Sequence, residues 1–336
     1  MTGATGPVGQ AVVARLLAEG HDVAIVTRRP FLAQRLYGHT SAIVHEWHPL
    51  SEPLPRAAIE DCDRVLNLMG APLSGGRWRD RETLAVASRV TALRRIRDAF
   101  AGRQPRLVSV SMVIAPAGAG EPLHEAMAAS GQSMPAGHAV ATWEAEAQAA
   151  QREGSSVAIA RLGLVATSNG ILHELARLAK RGVVPNLKSS LIPAIALDDA
   201  AELLAGLLDA RGIDGIVHGV APSPVRGEAV MRALRALSPL PRPMIVPPSL
   251  LRRRLGLSLG LLGCRRRIVP EVLKQAGADF ARPDPTEELI EAMSDLGSAM
   301  TSGSPPREAT PRSSPGIAVA SSEQSAGERL AIRRPP

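Results

Sequence analysis

Three glycines at three-residue spacing open this chain, and they constrain its fold more than any other feature. Gly3, Gly6 and Gly9 lead directly into a helical pattern over residues 11–19, and the apolar run at 23–27 reads as a buried strand. Glycine lets the backbone turn tightly and approach a ligand closely, and a helix N-terminus offers free N–H groups to phosphates. Loop, helix and strand in this order are typical of a dinucleotide-binding unit. A plain tight turn between a strand and a helix is the alternative interpretation.

The start of the chain departs from that pattern. A glycine loop of this kind normally follows a strand of about five or six residues at the centre of the sheet, whereas only Met1 and Thr2 precede Gly3. We therefore expect an α/β fold with a doubly wound parallel sheet whose first strand is missing or truncated. A true start that lies upstream is the alternative, and mass spectrometry of the native N-terminus would distinguish the two.

The residues after the strand at 23–27 indicate which nucleotide binds. At this point of a dinucleotide-binding unit, an acidic side chain binds the ribose 2′-hydroxyl of NAD, whereas an arginine accommodates the 2′-phosphate of NADP. Here the strand is followed by Arg28 and Arg29. The sequence therefore predicts NADP in preference to NAD, and an ordinary exposed loop is the alternative.

Composition and charge argue against several other classes of protein. The formal net charge is +7, nearly all of the positive charge is arginine, and it is densest at 252–254 and 265–267. With 3 Phe, 3 Trp and 1 Tyr there is little aromatic surface for stacking on bases, so we interpret these clusters as solvated faces and expect no nucleic-acid partner. The 2 cysteines suit a reducing, cytoplasmic compartment. No apolar run approaches the roughly 20 residues of a membrane span, so we expect no membrane partner. The oligomeric state stays open.

Apolar runs and turn residues divide the chain into three parts. We expect a nucleotide-binding domain over 1–165, a second lobe over 166–296 and a disordered tail over 297–336. The tail is rich in Ser, Pro, Gly, Ala, Arg and Glu and cannot bury enough surface to offset its ordering entropy. The pattern predicts strands at 62–70, 106–111, 157–162 and 215–220, and helices at 81–100, 142–151, 172–181, 200–210, 247–262 and 286–296.

One pair of histidines suggests a metal site at first sight. His45 and His48 flank Glu46 on a predicted strand. Residues three apart on a strand point to opposite faces, so the two imidazoles converge poorly on one ion. We therefore predict no metal site.

An ordered set of short motifs gives the chain a family resemblance. The motifs are Thr2–Gly9, Asn67–Pro72, Arg77-Trp78, Ser88-Arg89, Trp143-Glu144, Ala221–Val225, Ile268–Pro270 and Gln275–Phe280. In this order the chain resembles the atypical extended short-chain dehydrogenase/reductases called epimerase family proteins, which end in a small domain of unknown function. The resemblance covers roughly residues 1–296.

The resemblance implies a Rossmann-like fold that binds NADP, with a smaller C-terminal α/β lobe for a small-molecule substrate. The three glycines would line the pyrophosphate, and Arg28 would meet the 2′-phosphate. Arg89 would reach the phosphates or the ribose, and Val165 the nicotinamide end. The cofactor-binding residues predicted in this way are Gly3, Thr5, Gly6, Pro7, Val8, Gly9, Thr27, Arg28, Leu68, Met69, Gly70, Arg89, Ser109 and Val165. Core packing is the alternative for Leu68, Met69 and Val165.

The catalytic residues typical of short-chain dehydrogenases are missing from their usual place. Those enzymes place a Tyr and a Lys four residues apart on one helix, and the pair exchanges a proton with the substrate oxygen. Tyr37 is the only tyrosine and lies far upstream, and residues 136–144 contain neither residue type. The Tyr-Tyr-Gly that family members often carry instead is replaced by Ile-Ala-Pro-Ala-Gly at 114–118.

Ser111 and His138 are the remaining catalytic candidates. Ser111 ends a predicted strand, where its hydroxyl could orient a substrate. His138 could donate a proton, because an imidazole titrates near neutral pH. The alternatives are a hydroxyl bonded to backbone for Ser111 and a surface residue for His138.

Two functions from different classes fit these residues. The first is an NADP-dependent oxidoreductase or epimerase acting on a small polar substrate, which the glycine loop, Arg28 and the C-terminal lobe favour. The second is an inactive protein that senses NADP(H) or supports a partner, which the missing Tyr–Lys pair favours. A weaker third hypothesis is a degraded copy of an enzyme, with a short start, lost aromatic residues and a long tail.

Overall fold

The structure is a computed structural model that describes residues 1–74, 78–115, 118–127, 135–210 and 212–302. Arg77 and the tail beyond Ser302 lie outside the described residues. The strands are β1 (Ala24–Thr27), β2 (Ile43–Glu46), β3 (Arg64–Asn67), β4 (Arg106–Met112), β5 (Ser156–Leu162), β6 (Leu164–Val165), β7 (Val183–Pro185), β8 (Leu191–Ile192), β9 (Ala194–Ile195), β10 (Gly215–Gly219), β11 (Val225–Arg226) and β12 (Met244–Val246). The α-helices are α1 (Pro7–Ala18), α2 (Pro30–Tyr37), α3 (Trp78–Ala99), α4 (Pro135–Arg152), α5 (Gly170–Ala179), α6 (Leu197–Asp209), α7 (Gly227–Leu237), α8 (Arg252–Leu255), α9 (Leu259–Leu262), α10 (Glu271–Gln275) and α11 (Thr286–Ser302).

A parallel sheet forms the centre of the N-terminal part. Its strands β3, β4, β5 and β10 pair in the order β10-β5-β4-β3, and β1 pairs with β2, all in parallel. Thr2 joins the two sets, because it forms parallel bridges with both Val26 and Asn67. The N–H of Thr2 donates to the carbonyl of Leu66 at 3.0 Å, and the carbonyl of Met1 accepts from Val26 at 2.9 Å. The predicted doubly wound sheet is confirmed, and Met1 and Thr2 lie between β1 and β3.

Helices cover both faces of this sheet. Helices α1 and α6 pack together on one face, and α3 and α4 pack together on the other. Ile25 and Leu66 lie in the core beneath α1 and α6, whereas their neighbours Val26 and Val65 lie in the core beneath α3 and α4. This alternation follows from the two-residue period of a strand, and burial on both faces explains why the strands are nearly continuous apolar runs. Within the described ranges, no helix is long and apolar enough to cross a membrane.

The C-terminal part is smaller, and it is not formed by one uninterrupted segment of the chain. Two-stranded pairs form between β6 and β9, β7 and β12, and β8 and β11, and α5, α7 and α11 pack on one another. Helix α6 and strand β10 fall inside the predicted lobe 166–296, but they belong to the main sheet: β10 pairs with β5, and α6 packs on α1. Sequence order alone does not show this return, because parallel strands pair with neighbours that are distant in the chain.

The apolar stretch at 247–262 does not form the single helix that its pattern predicts. It is divided into α8, α9 and short 3-10 turns. The break lies at Gly256, which has a φ of +58°, and a Cβ there would lie 2.2 Å from the carbonyl oxygen of Leu73. Close approach of another loop therefore interrupts the helix.

The last helix is longer than predicted. Helix α11 continues to Ser302 instead of ending at Leu296. In sequence, Gly297 suggests a helix end. In the structure it lies within the helix against α7, where a Cβ would lie 2.4 Å from Cδ2 of Leu237. This glycine serves close packing of two helices rather than a turn.

Candidate functional site

The glycine loop lies between the bridging residue Thr2 and α1. Gly3 adopts a φ of +70°, and a Cβ on it would lie 2.8 Å from Cβ of Leu68. A Cβ on Gly9 would lie 2.3 Å from the carbonyl oxygen of Gly3 and 2.7 Å from Cα of Ala4. A Cβ on Gly6 would meet that carbonyl oxygen at an ordinary 3.5 Å. Packing within the protein therefore requires glycine at positions 3 and 9, whereas the side of Gly6 is open to a ligand.

Helix α1 presents its N-terminus to the same loop. It begins at Pro7 with Gly6 as an extended N-cap, and no side chain among the described residues caps it. Pro7 has no N–H group, and the other N–H groups of the first turn have no partner within the helix. These groups and the positive end of the helix dipole suit a phosphate. Thr5, Pro7 and Val8, predicted together with the glycines, all lie in this loop and first turn.

Two buried polar side chains hold the glycine loop against the end of β3. The hydroxyl of Thr2 donates to Oδ1 of Asn67 at 2.7 Å and accepts from the N–H groups of Leu68 at 3.1 Å and Met69 at 3.2 Å. Thr2 and Asn67 are each 2 % exposed, so these bonds are shielded from water. Sequence analysis did not foresee this role for Thr2. The available signal is a polar residue at the end of each of two strands that become neighbours.

The one tyrosine supports the glycine loop. Tyr37 ends α2 and is buried, and its hydroxyl donates to the carbonyl of Ala4 at 2.6 Å. Burial raises the pKa of Tyr37 to about 12, so the phenol stays protonated at neutral pH and acts as a hydrogen-bond donor. Although Tyr37 is distant in sequence, the fold brings it to the loop in a structural role.

We expect the free energy of unfolding to fall between about pH 10 and pH 12 because of Tyr37. The unfolded chain loses the phenol proton near pH 10, whereas the folded chain keeps it until about pH 12. In this window the unfolded state binds fewer protons, so a rising pH favours unfolding, and below the window the contribution of Tyr37 is constant.

The Tyr37→Phe variant tests this expectation. It should lose about 1 kcal/mol at pH 8, because the Ala4 carbonyl loses its donor, and its stability should fall less steeply in alkali. Urea unfolding of both proteins at pH 8 and pH 11 measures the difference. Identical declines for the two proteins would contradict the assignment.

Arg28 leaves the sheet beside the glycine loop. Thr2 pairs in parallel with Val26, so the glycine loop and Thr27 follow at the same edge of the sheet. Thr27 is half-buried and its hydroxyl accepts from the N–H of Arg29 at 3.1 Å, whereas the side chain of Arg28 is exposed. Arg28 therefore lies at the same edge of the sheet as the glycine loop, as binding of a 2′-phosphate requires. The contact between Arg28 and the phosphate stays a prediction.

A half-buried guanidinium lies behind the loop that follows β3. Arg89 of α3 donates to the carbonyls of Ala71 at 3.1 Å and Ala85 at 3.2 Å, and its Cζ lies 4.9 Å from the ring centroid of Trp143. Burial lowers the pKa of Arg89 to about 10, so it stays charged at neutral pH, and no carboxylate among the described residues pairs with it. A Cβ on Gly70 would lie 2.2 Å from this Cζ. A cation that is largely withdrawn from water and has no counter-ion is unfavourable, and a ligand phosphate beside Gly70 would stabilise it.

Ser111 belongs to a buried polar network. Its hydroxyl donates to Oε1 of Glu144 at 2.6 Å and accepts from the indole N–H of Trp143 at 2.9 Å. Arg161 binds both oxygens of Glu144, with Nε at 2.8 Å and Nη2 at 2.6 Å. Because Trp143 also stacks on Arg89, the network connects β4, β5 and α4 to the loop after β3. The hydroxyl of Ser111 thus donates its hydrogen bond to the carboxylate of Glu144 and not to a backbone carbonyl.

The other candidates lie apart from this network. His138 is exposed in the first turn of α4, and its carbonyl accepts from the hydroxyl of Thr142 at 2.8 Å. Ser109 is buried in β4, in register with Asn67 of β3. Val165 is half-buried at the end of β6. The structure brings the glycine loop, Leu68, Met69 and Gly70 together, and it does not join His138 to Ser111 through any described contact.

Comparison with known proteins identifies the family. The sequence model of the family described as NAD dependent epimerase/dehydratase matches residues 1–188. An epimerase family protein of Mycobacterium bovis is 27 % identical over 288 residues, which cover 83 % of this chain and 92 % of that relative.

Solved structures share the fold. The human epimerase family protein SDR39U1 (isoform 2), determined with NADPH, superposes with a TM-score of 0.67 at 20 % identity and covers 88 % of this chain and 98 % of its own. The UDP-glucuronic acid 4-epimerase of Bacillus cereus, determined with NAD, also gives a TM-score of 0.67, at 14 % identity and with the same coverage of both chains. The Rossmann-like architecture expected from the motifs is confirmed. Because the family match spans more than half of the 336 residues, the chain belongs to the NAD-dependent epimerase/dehydratase family.

Proposed function

We propose that this protein binds NADP(H) at the carboxyl edge of its parallel sheet and acts as an oxidoreductase or epimerase on a small polar molecule. The observation that carries the proposal is the convergence, at that edge, of the glycine loop, the N-terminus of α1 and the two arginines Arg28 and Arg89. The NADPH in the human relative supports the phosphorylated form. The NAD in the Bacillus cereus epimerase represents the alternative that Arg28 argues against.

The residues present fit a dinucleotide. The open side of Gly6 and the first-turn N–H groups of α1 would bind the pyrophosphate. Arg28 would pair with the 2′-phosphate, and Arg89 with a phosphate or the ribose. When bound, the nicotinamide supplies hydride transfer. The hydrogen bonds from Leu68 and Met69 to Thr2 would hold the loop after β3 in place beside the nucleotide.

One observation favours a second candidate function, a nucleotide-binding sensor without turnover. Tyr37 is buried and protonated, and the hydroxyl of Ser111 donates a hydrogen bond to Glu144, so neither hydroxyl is poised as an acid–base group. NADPH oxidation with a panel of carbonyl compounds and sugar nucleotides separates the two functions. Turnover that His138→Ala abolishes would support the enzyme with His138 as its proton donor. NADPH binding without turnover of any compound would support the sensor.

Replacing Arg28 by alanine is expected to weaken NADPH binding about 10- to 100-fold, because a charge-assisted contact with the 2′-phosphate contributes about 1.5–3 kcal/mol. NADH lacks this phosphate, so its affinity should change little. Titration calorimetry of both nucleotides measures the difference. The matched control is Arg35→Ala, which removes another exposed arginine from the end of α2 and should leave both affinities unchanged.

Three outcomes would count against the proposal. Absence of heat with NADPH for the unaltered protein would reject both candidate functions. An equal loss of affinity for NADPH and NADH in Arg28→Ala would show that Arg28 does not contact the 2′-phosphate. A loss of NADPH affinity in Arg35→Ala as large as that in Arg28→Ala would show that general positive charge, rather than one contact, attracts the nucleotide.

A further inference from the structure

Three side chains with metal-ligating atoms meet at the opposite edge of the sheet, where the strands begin. Glu19 caps the C-terminus of α1, His21 precedes β1, and Asp209 ends α6. One donor atom from each lies within 4.8 Å of the other two. Nε2 of His21 is 3.8 Å from Oε2 of Glu19 and 3.6 Å from Oδ2 of Asp209. An imidazole nitrogen and two carboxylate oxygens are the donors that zinc and related cations accept.

The two distances from the imidazole are close to those of a metal site, and the donor oxygens of Glu19 and Asp209 lie within 4.8 Å of each other. Zinc lies about 2.0–2.2 Å from nitrogen and oxygen ligands, and in a tetrahedral site this places neighbouring donors roughly 3.3–3.5 Å apart. The distances of 3.6 Å and 3.8 Å from the imidazole need to shorten by only a few tenths of an ångström. Both carboxylate side chains are partly exposed, at 32 % for Glu19 and 47 % for Asp209, so small rotations suffice.

Arginines orient both carboxylates. Nε of Arg15 binds Oε1 of Glu19 at 2.5 Å, and Arg64 binds Oδ1 of Asp209. In each case one oxygen is held by an arginine and the other faces His21, as in metal sites whose outer partners orient the ligands. The positive charges of Arg15 and Arg64 also oppose a cation, so we expect moderate affinity.

The cluster lies beside a cavity at the edge of the sheet where the strands begin. A cavity of about 330 Å³ lies between the starts of β1 and β3, and its wall includes Met1, Ala24, Arg64 and His21. Of the three residues only His21 lines this cavity, and Asp209 is bound to another lining residue, Arg64, the first residue of β3. Water in the cavity could complete the coordination of an ion.

We propose that Glu19, His21 and Asp209 form a binding site for one divalent transition-metal ion of the zinc type, which links the end of α1 and the segment before β1 to the end of α6. The site lies at the far edge from the glycine loop and is independent of the nucleotide. Its role is to stabilise the fold, because an ion that binds only the folded chain raises its stability.

Zinc chloride titrated into the full chain, stripped with chelator and free of any affinity tag, tests the site. We expect one ion per chain, a rise in melting temperature and, with Co²⁺ in place of Zn²⁺, the intense visible absorption of a four-coordinate complex. His21→Ala should weaken zinc binding at least about tenfold. Loss of a residue that orients a ligand typically costs about 10- to 100-fold in metal affinity, and loss of the ligand itself should cost no less than the lower value. Unchanged zinc affinity in this variant would overturn the proposal.

A matched control comes from a second exposed histidine–glutamate contact. Nε2 of His48 lies 3.2 Å from Oε1 of Glu46, and among the described residues no third ligand joins this pair. His48→Ala should therefore bind zinc like the unaltered chain, and a loss confined to His48→Ala would overturn the assignment. If His21→Ala does not fold, Glu19→Gln gives the same decision: weakened zinc binding supports the site, and retained binding refutes it.

Discussion

The Glu144→Ala variant is expected to lose about 3–5 kcal/mol of its free energy of unfolding, because it leaves a buried guanidinium without its carboxylate. The side chains of Arg161 and Glu144 are only 12 % and 4 % exposed, so water cannot replace the lost bonds. Ser111 also loses the acceptor for its hydroxyl proton. Equilibrium unfolding in urea measures the loss. If Glu144→Ala fails to fold, Glu144→Gln keeps the shape of the side chain and allows a smaller loss to be measured.

The control for this experiment lies on the same helix. Glu146 binds Arg94 at 2.6 Å and Arg97 at 3.2 Å; its own side chain is 14 % exposed, but both arginines are more open to water, at 58 % and 26 %. Glu146→Ala should therefore cost only about 0–1 kcal/mol, as is usual for ion pairs at the surface. Equal losses in Glu146→Ala and Glu144→Ala would show that helix α4, rather than the buried pair, determines the stability. Replacing Glu144 and Arg161 together by apolar residues of similar volume should recover much of the loss.

The Gly9→Ala variant should destabilise the fold by about 3 kcal/mol or more and abolish NADPH binding, because overpacking against rigid backbone cannot relax. The added Cβ would lie 2.3 Å from the carbonyl oxygen of Gly3 and 2.7 Å from Cα of Ala4. Both atoms belong to the backbone of the loop, so helix α1 would have to move away from it. Urea unfolding and calorimetry with NADPH measure the two effects.

Gly6→Ala separates ligand binding from folding. Its Cβ would lie 3.5 Å from the nearest backbone oxygen, and Gly6 does not use a positive φ. We therefore expect a change in unfolding free energy within about 1 kcal/mol, together with at least a tenfold loss of NADPH affinity, because the methyl group would occupy the side that is open to the phosphates. Normal NADPH affinity in Gly6→Ala would contradict the placement of the nucleotide at this loop.

Much of the fold could be predicted because its signals are local. The apolar runs at 23–27, 106–111 and 157–162 each became a strand of the central sheet, since residues buried on both faces must be apolar. The glycines gave ambiguous signals about where helices end. Gly297 resembles a helix end in sequence but serves helix packing in the structure, and Gly256 interrupts a helix that the apolar pattern predicts to be continuous.

The sequence indicated only those parts of the candidate site that are set by neighbouring elements of the chain. The glycine loop and Arg28 follow from the order of neighbouring elements, so sequence alone indicates them. The bonds from Thr2 to Asn67 and from Tyr37 to Ala4 join residues that are 65 and 33 positions apart. A contact of this kind leaves no periodic signal, because each residue is an ordinary polar or aromatic side chain in its own segment.

By itself, the sequence indicated the parallel sheet and the glycine loop, because spacing and apolar periodicity act through the nearest few residues, and its ordered motifs carried the resemblance to the family. Only the tertiary structure decided which distant residues meet. Tyr37 donates a hydrogen bond to the glycine loop, Ser111 donates one to Glu144, and β10 pairs with β5 of the main sheet. Each of these depends on which distant segments share one buried interior. There a polar group must find a partner wherever the fold provides one.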